Sequence, residues 1–333
     1  MALVLAQTLQ QAIAAHREGR LSDAEQLYRA ILLEHPNNPV ASHNLGLLSL
    51  MVGAAHEAVG FFEAAVRSDA SQLQFWTSYI DSLLGVNRLA QASDAVRQMR
   101  RVGFQGQSIE LLEGRVMERF SAALINQLVI AFSNGNHGDF RRLATELIEH
   151  FPSLYVGWKA LGVAELRSGN PTEALGNLRR AEKLNSSDAE ILKYIADAQR
   201  SLGLVQDSEA SYISAISMRP DFAEAHHALG TLLASSGRFS EAEEFYRRSI
   251  VFKPSFVAAY MGLGVALESL NRPREAKYYF SEATMLAPRD SRTHYNFARF
   301  LQIQDDLDGA ERAYRRALEY DPSDIQTLGP VTK

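Results

Sequence analysis

The chain has 333 residues, no cysteine and a formal net charge of −5. The lack of cysteine excludes a disulfide framework, a thiol nucleophile and cysteine-ligated zinc or iron–sulfur sites. With 34 Lys and Arg against 39 Asp and Glu there is no basic field, which argues against nucleic acid as a partner. No apolar run approaches the roughly 18 residues of a membrane span. Residues 1–6 are apolar but lack the basic flank and cleavage site of a signal peptide. The expectation is a cytoplasmic chain with no membrane insertion.

A period of 34 residues organises the chain. Pro220, Pro254, Pro288 and Pro322 stand 34 residues apart, and nine units fit that frame. Three lie in a sub-array over 1–106 (5–38, 39–72 and 73–106). Six lie over 121–324 (121–154, 155–188, 189–222, 223–256, 257–290 and 291–324). A connector at 107–120 and a short tail at 325–333 complete the chain.

In chain order, the first unit carries Ala12, Ala24 and Tyr28 at its eighth, twentieth and twenty-fourth positions. Its first helix also holds Thr8 and Gln11, as expected of a polar N-terminal cap. The second unit repeats the pattern with Gly46, Ala58 and Phe62. The third keeps Ala92 but has Ile80 and Val96, with Trp76 at the fourth position. In the connector, Ile109, Leu112, Val116 and Phe120 recur at spacings of three and four, which predicts an amphipathic helix. The fourth unit has Leu128, Phe140 and Ala144, and Gly138 followed by Asp139 suggests a lengthened turn. The fifth carries Trp158, Gly162 and Ala174, and the sixth Ala196, Ser208 and Tyr212. Then come Gly230, Ala242, Tyr246 and Pro254; Gly264, Ala276, Phe280 and Pro288; and Ala298, Ala310, Tyr314 and Pro322.

Small residues at two fixed positions let paired antiparallel helices approach closely. A large ring at the twenty-fourth position fills the space towards the neighbouring unit. Proline near the end stops the second helix. A single unit cannot bury its apolar face, so units stack. This pattern resembles the tetratricopeptide repeat, a helix–turn–helix unit of this length. The resemblance implies an all-α, right-handed superhelical solenoid of antiparallel helix pairs. The last helix, near 308–320, is expected to show Tyr314, Ala317 and Leu318 to solvent, which suggests self-association through an uncapped end.

Catalytic chemistry is sparse. No HExxH, CxxC or phosphate-loop pattern occurs. His226 and His227 look like a metal pair, but neighbours on a helix point about 100° apart. His226 and His294 also share the fourth position with Trp76 and Trp158, which suits packing between helices. The expectation is a chain with no catalytic residue, metal or cofactor.

In arrays of the resembled family, the first helices line a groove that takes extended peptides or helices of other proteins. Carried onto this sequence, that groove holds Asn44, Asn126, Lys159, Arg167, Lys193, Tyr194, Arg200, His227, Asn296 and Arg299. Lys159, Arg167, Lys193 and Arg200 form a modest basic strip. A carboxylate clamp of the chaperone-binding kind would need Asn at the ninth position, where Val163 and Asp197 stand. An asparagine ladder at the sixth position is represented only by Asn44, Asn126 and Asn296.

Several stretches carry a narrower resemblance. They are FWTSYIDSLL at 75–84, INQLVIAF at 125–132, HFPSLYVGWKALG at 150–162 and DFAEA at 221–225, with the first unit at 9–36. These are similar to the N-terminal repeat region of bacterial SPINDLY-type O-linked N-acetylglucosamine transferases. That resemblance implies recruitment of protein substrates, with no transferase domain in these 333 residues. The sequence leaves three readings: a non-enzymatic protein-interaction scaffold, the recruiting arm of such a transferase, and a self-assembling platform.

Overall fold

The computed structural model describes residues 2–321, so Pro322 and the 325–333 tail lie outside the described residues. Eighteen α-helices and no strand occur among the described residues. The chain forms two compact bodies, Met1–Ile130 and Ala131–Lys333.

The first body begins with the pairs α1 (Ala2–Arg17) and α2 (Leu21–Glu34), α3 (Pro39–Met51) and α4 (Ala55–Ser68), and α5 (Leu73–Gly85) and α6 (Leu89–Arg101). Then α7 (Gln107–Ser133) runs 27 residues without a break. Residues 107–120 and the first helix of repeat 4 are therefore one helix. The division between the bodies falls inside it.

The second body continues with α8 (His137–His150), α9 (Tyr155–Arg167), α10 (Pro171–Leu184), α11 (Ala189–Ser201) and α12 (Val205–Met218). It ends with α13 (Ala223–Ser235), α14 (Phe239–Phe252), α15 (Val257–Ser269), α16 (Pro273–Leu286), α17 (Ser291–Ile303) and α18 (Leu307–Tyr320).

One turn joins each pair. The fifteenth position is Gly19, Gly53, Asn87, Gly135, Gly169, Gly203, Gly237, Asn271 or Asp305, all with φ between +57° and +79°. The next N–H returns to the carbonyl of the eleventh position at 2.8–3.0 Å, as Arg238 does to Leu233 and Arg272 to Leu267. This is the helix stop that satisfies orphan carbonyls, and Gly or Asn suits its left-handed residue. The lengthened turn expected around Gly138 does not form. Asn136 caps α8 by accepting from the Asp139 N–H, and Gly135 makes the same turn as elsewhere.

The small positions work differently from the sequence expectation, in which they faced the twentieth residue alone. A Cβ on Gly46, Gly162 or Gly264 would lie 2.7, 2.5 or 2.9 Å from Phe62, Leu178 or Phe280, the twenty-fourth residue of the same repeat. The twentieth contributes its carbonyl, as Ala174 O does 3.2 Å from that point on Gly162. The ring also reaches the next repeat: Tyr246 abuts Gly230 of its own repeat and Gly262 of the following one. These large side chains are buried. Apolar burial in such seams, at about 25 cal/mol per Å², is the main stabilising term.

The fourth position is a second periodic device. Trp76 Nε1 donates to Ala70 O at 2.9 Å and Trp158 Nε1 to Pro152 O at 2.8 Å. His226 and His294 make the equivalent Nε2 bonds to Pro220 O and Pro288 O, at 2.8 and 2.9 Å. Each ring thus satisfies a carbonyl in the loop before its helix, just past the end of the preceding second helix.

The ends differ in part from what the sequence suggests. On α1, Gln7, Gln10 and Gln11 are exposed alongside Leu3 and Val4, so the outer face of the first helix mixes polar and apolar residues. On α18, Tyr314 and Ala317 are buried against α17 and Leu318 is half-buried. The outer face of α18 carries Glu311, Arg312, Arg315, Arg316 and Glu319, so the expected exposure of Tyr314, Ala317 and Leu318 does not supply a self-association surface. Asp321 stands where the last helix stops.

Candidate functional site

In the second body α9, α11, α13 and α15, the first helices of repeats 5 to 8, contact one another in turn. On α11 and α13, residues of the fifth, sixth, ninth and twelfth positions line one face. Two adjoining hollows open there, over α11 and α13. The larger, of about 400 Å³, is lined by Glu190, Lys193, Tyr194, Arg219, Asp221, Phe222 and Glu224. The smaller, of about 240 Å³, holds Lys193, Asp197, Arg200, His227, Thr231 and Phe256 among others. Lys193 and Glu224 line both.

The polar groups here are held in place. Lys193 Nζ lies 2.8 Å from Asp197, and its ammonium sits 4.4 Å from the centre of the Tyr194 ring. Tyr212 donates its hydroxyl to the other Asp197 oxygen. Burial, together with Asp197, holds the Tyr212 phenol protonated, far above its ordinary range. Glu224 pairs with Lys253 at 2.6 Å; burial opposes its ionisation, but Lys253 holds its pKa below the ordinary value.

His227 packs between Tyr246 and Phe256, with ring centres 5.7 and 5.0 Å away. Burial, aided by the positive charge of Lys193 and Arg200, depresses its pKa to about 4. At neutral pH it is an uncharged ring that can stack and hydrogen-bond. The floor is aromatic: Phe222 lies under Arg219 at 3.5 Å and Phe256 under Lys253 at 5.1 Å.

Of the ten groove residues read from the sequence, Lys193, Tyr194, Arg200 and His227 come together here. The others are placed singly. Lys159 is bound by Asp188 and Glu190 at 2.8 Å each; burial works against its charge, yet the two carboxylates raise its pKa. Arg167 lies over the Phe132 ring at 4.1 Å. Asn296 is half-buried, Arg299 is exposed, and Asn126 is exposed in the first body. Also in the first body, Asn44 stands beside the buried Tyr28 hydroxyl and His43, whose Nε2 lies 2.9 Å from Ser78 Oγ.

The basic strip is therefore not a free field, because Lys159 and Lys193 are spent on carboxylates. Sequence reasoning missed Phe222 and Phe256, which end their repeats at the thirty-fourth position, and Glu224 at the second. Recurrence of Phe at that position in consecutive repeats was the available signal. Among the described residues no group of three or more His, Asp or Glu is placed to hold a metal, and no helix is long and apolar enough to cross a membrane.

Helix pairs of 34 residues, with small residues in the seam and rings between neighbours, define an α-helical repeat array. Tetratricopeptide-repeat families match residues 9–72, 159–212 and 195–255, and again 257–290 and 291–324. The chain belongs to the tetratricopeptide repeat family. Its fold is like that of pilF from Pseudomonas aeruginosa, at 15% identity and a TM-score of 0.54, over 64% of this chain and 96% of that one. Yeast Tom70 aligns at 16% identity and a TM-score of 0.49, over 96% of this chain and 77% of that one. A MamA structure from Desulfovibrio magneticus RS-1 aligns at 21% identity and 0.45, over 51% and 96%. No curated protein sequence matches the chain. These comparisons support the repeat family and not the narrower likeness to SPINDLY-type transferases.

Proposed function

We propose that this chain is a non-enzymatic protein-interaction scaffold whose ligand is a peptide or helical segment of another protein. The segment lies on the first-helix face of the second body. The observation that carries the reading is the convergence of Lys193, Tyr194, Arg200 and His227, from two repeats, on two adjoining hollows with phenylalanine floors. Fixed ion pairs and an uncharged imidazole over an aromatic floor suit side chains of mixed polarity. Because these groups are already ordered, little side-chain entropy is lost on binding.

The test is selection of random displayed peptides on the whole chain, followed by affinity measurement with variants. Ala228→Trp, which fills the smaller hollow, and Tyr194→Ala are expected to weaken the selected peptides by roughly tenfold or more. Their circular dichroism should stay that of the parent. Selected peptides that bind both variants as tightly as the parent would place the ligand elsewhere and overturn the reading.

A further inference from the structure

The second-helix side of the array carries a different kind of site, visible when three consecutive repeats are superposed in register. Between the second helices of repeats 6 and 7, the twenty-third position of repeat 7 is Phe245, packed 6.0 Å from His226. Between repeats 7 and 8 it is Tyr279, 6.2 Å from Tyr260 and accepting from Arg247 Nη1 at 2.6 Å. In both places an Arg at the sixteenth position bridges back to a Glu: Arg238 to Glu209 at 2.7 Å, and Arg272 to Glu243 at 2.6 Å. In both places a ring and an ion pair occupy these positions.

Between repeats 8 and 9 every one of these residues changes. Ala313 replaces the ring, Gly309 stands where Glu241 and Glu275 stood, and Thr284 where Ile216 and Ile250 stood. The bridge is reversed in sign, with Lys277 now bound to Asp306 at 3.0 Å. The result is an open notch of about 240 Å³ between α16 and α18, floored by Phe297, Leu301 and Ala313. Its rim carries Lys277, Arg312 and Arg316 against the single carboxylate of Asp306. Among the described residues neither Arg312 nor Arg316 has a carboxylate within 4 Å, and Arg312 acts on Asp306 only at longer range. Guanidinium groups with no direct carboxylate contact, beside an apolar floor, are suited to carboxylates.

We propose that this notch binds an acidic peptide segment of a partner protein. An apolar side chain of the segment enters the space that Ala313 leaves open, and flanking carboxylates meet Arg312 and Arg316. The site is separate from the first-helix face and does not depend on it.

The probe is a fluorescein-labelled peptide, Glu-Glu-Phe-Glu-Glu, titrated against the whole chain by anisotropy at low ionic strength. Saturable binding is expected, weakened by salt and severalfold weaker when Gly replaces the central Phe. Ala313→Phe restores the ring that the two preceding repeats carry. It should weaken binding roughly tenfold or more, as should Arg312→Glu with Arg316→Glu, while the groove variant Ala228→Trp leaves it unchanged. If Ala313→Phe perturbs the helical spectrum, the surface arginine pair decides the matter. The proposal is overturned by absence of saturable binding, by equal binding of a Lys-Lys-Phe-Lys-Lys peptide, or by affinity that follows Ala228→Trp instead. Concentration-dependent dimerisation suppressed by the same notch variants would assign the notch to a second copy and overturn it too.

Discussion

The Tyr246 ring lies close to two glycines of the second body, and Gly262→Ala tests what it does. Cβ built on Gly262 falls 2.5 Å from Tyr246 Cε1 and 2.6 Å from Cζ. Ordinary carbon contact begins near 3.5 Å, so the ring must retreat by about 1 Å. Retreat is costly, because the ring is buried and packs against Gly230 of its own repeat on the other side. The hydroxyl is also within 3.3 Å of Thr231 Oγ1. Alanine gains about 1 kcal/mol in helix propensity over glycine. Overpacking costs about 1–3 kcal/mol, so a net loss of up to about 2 kcal/mol is expected.

The control is Gly176→Ala in α10, where a Cβ meets nothing within 4 Å. That change should stabilise by about 0.5–1 kcal/mol. Urea unfolding followed by circular dichroism reads both, and amide exchange in α13 and α15 shows whether the loss is local. Tyr246→Leu, which imitates Leu178 in repeat 5, should relieve the clash. The cycle should show coupling on the order of 1 kcal/mol. A Gly262→Ala protein stabilised as much as the Gly176→Ala control, or a cycle without coupling, would refute the argument that the ring is wedged between repeats.

Further expectations follow from single contacts. Because the folded pKa of His227 is about 4 against 6.5 for a free histidine, the unfolded chain binds a proton in that window that the folded chain refuses. Stability should therefore fall as pH drops from about 6.5 to 4, by up to about 3 kcal/mol, and His227→Gln should flatten the dependence in pH-resolved melts. Burial also depresses His43 and His226, so some slope persists in that variant. Gly169→Ala forces a φ of +78° on a residue with a Cβ and should cost about 1–2 kcal/mol; no change would mean the turn relaxes. Trp158→Phe removes the bond to Pro152 O and should cost about 1 kcal/mol in the same melts, beyond any packing change. Glu165 is buried and meets the half-exposed Arg141 at 2.7 Å and Asn170 at 2.8 Å, so Glu165→Ala should cost about 1 kcal/mol by removing both hydrogen bonds.

Much of the fold is written locally. Small residues at the eighth and twentieth positions, rings at the twenty-fourth and prolines near the end recur because each repeat must solve the same packing problem with its neighbour. Gly, Asn or Asp at the fifteenth position is a further signal that the sequence reading missed, since such residues enter a left-handed helix stop at least cost. What a repeating pattern could not reveal is where the repeats depart from one another in space. Lys159 and Lys193 read as free charge in a linear sequence, yet partners up to 31 residues away in the chain neutralise Lys159. Tyr314 and Ala317 read as an open edge, yet pairing with α17 buries them. Ala313 looks like one more small residue until it is set beside Phe245 and Tyr279, where its missing ring becomes a notch. Periodicity fixes which residues face the seam, because that depends on helix geometry alone. Charge pairing and the shape of a hollow depend on side chains from several repeats meeting, and only the tertiary structure decides those.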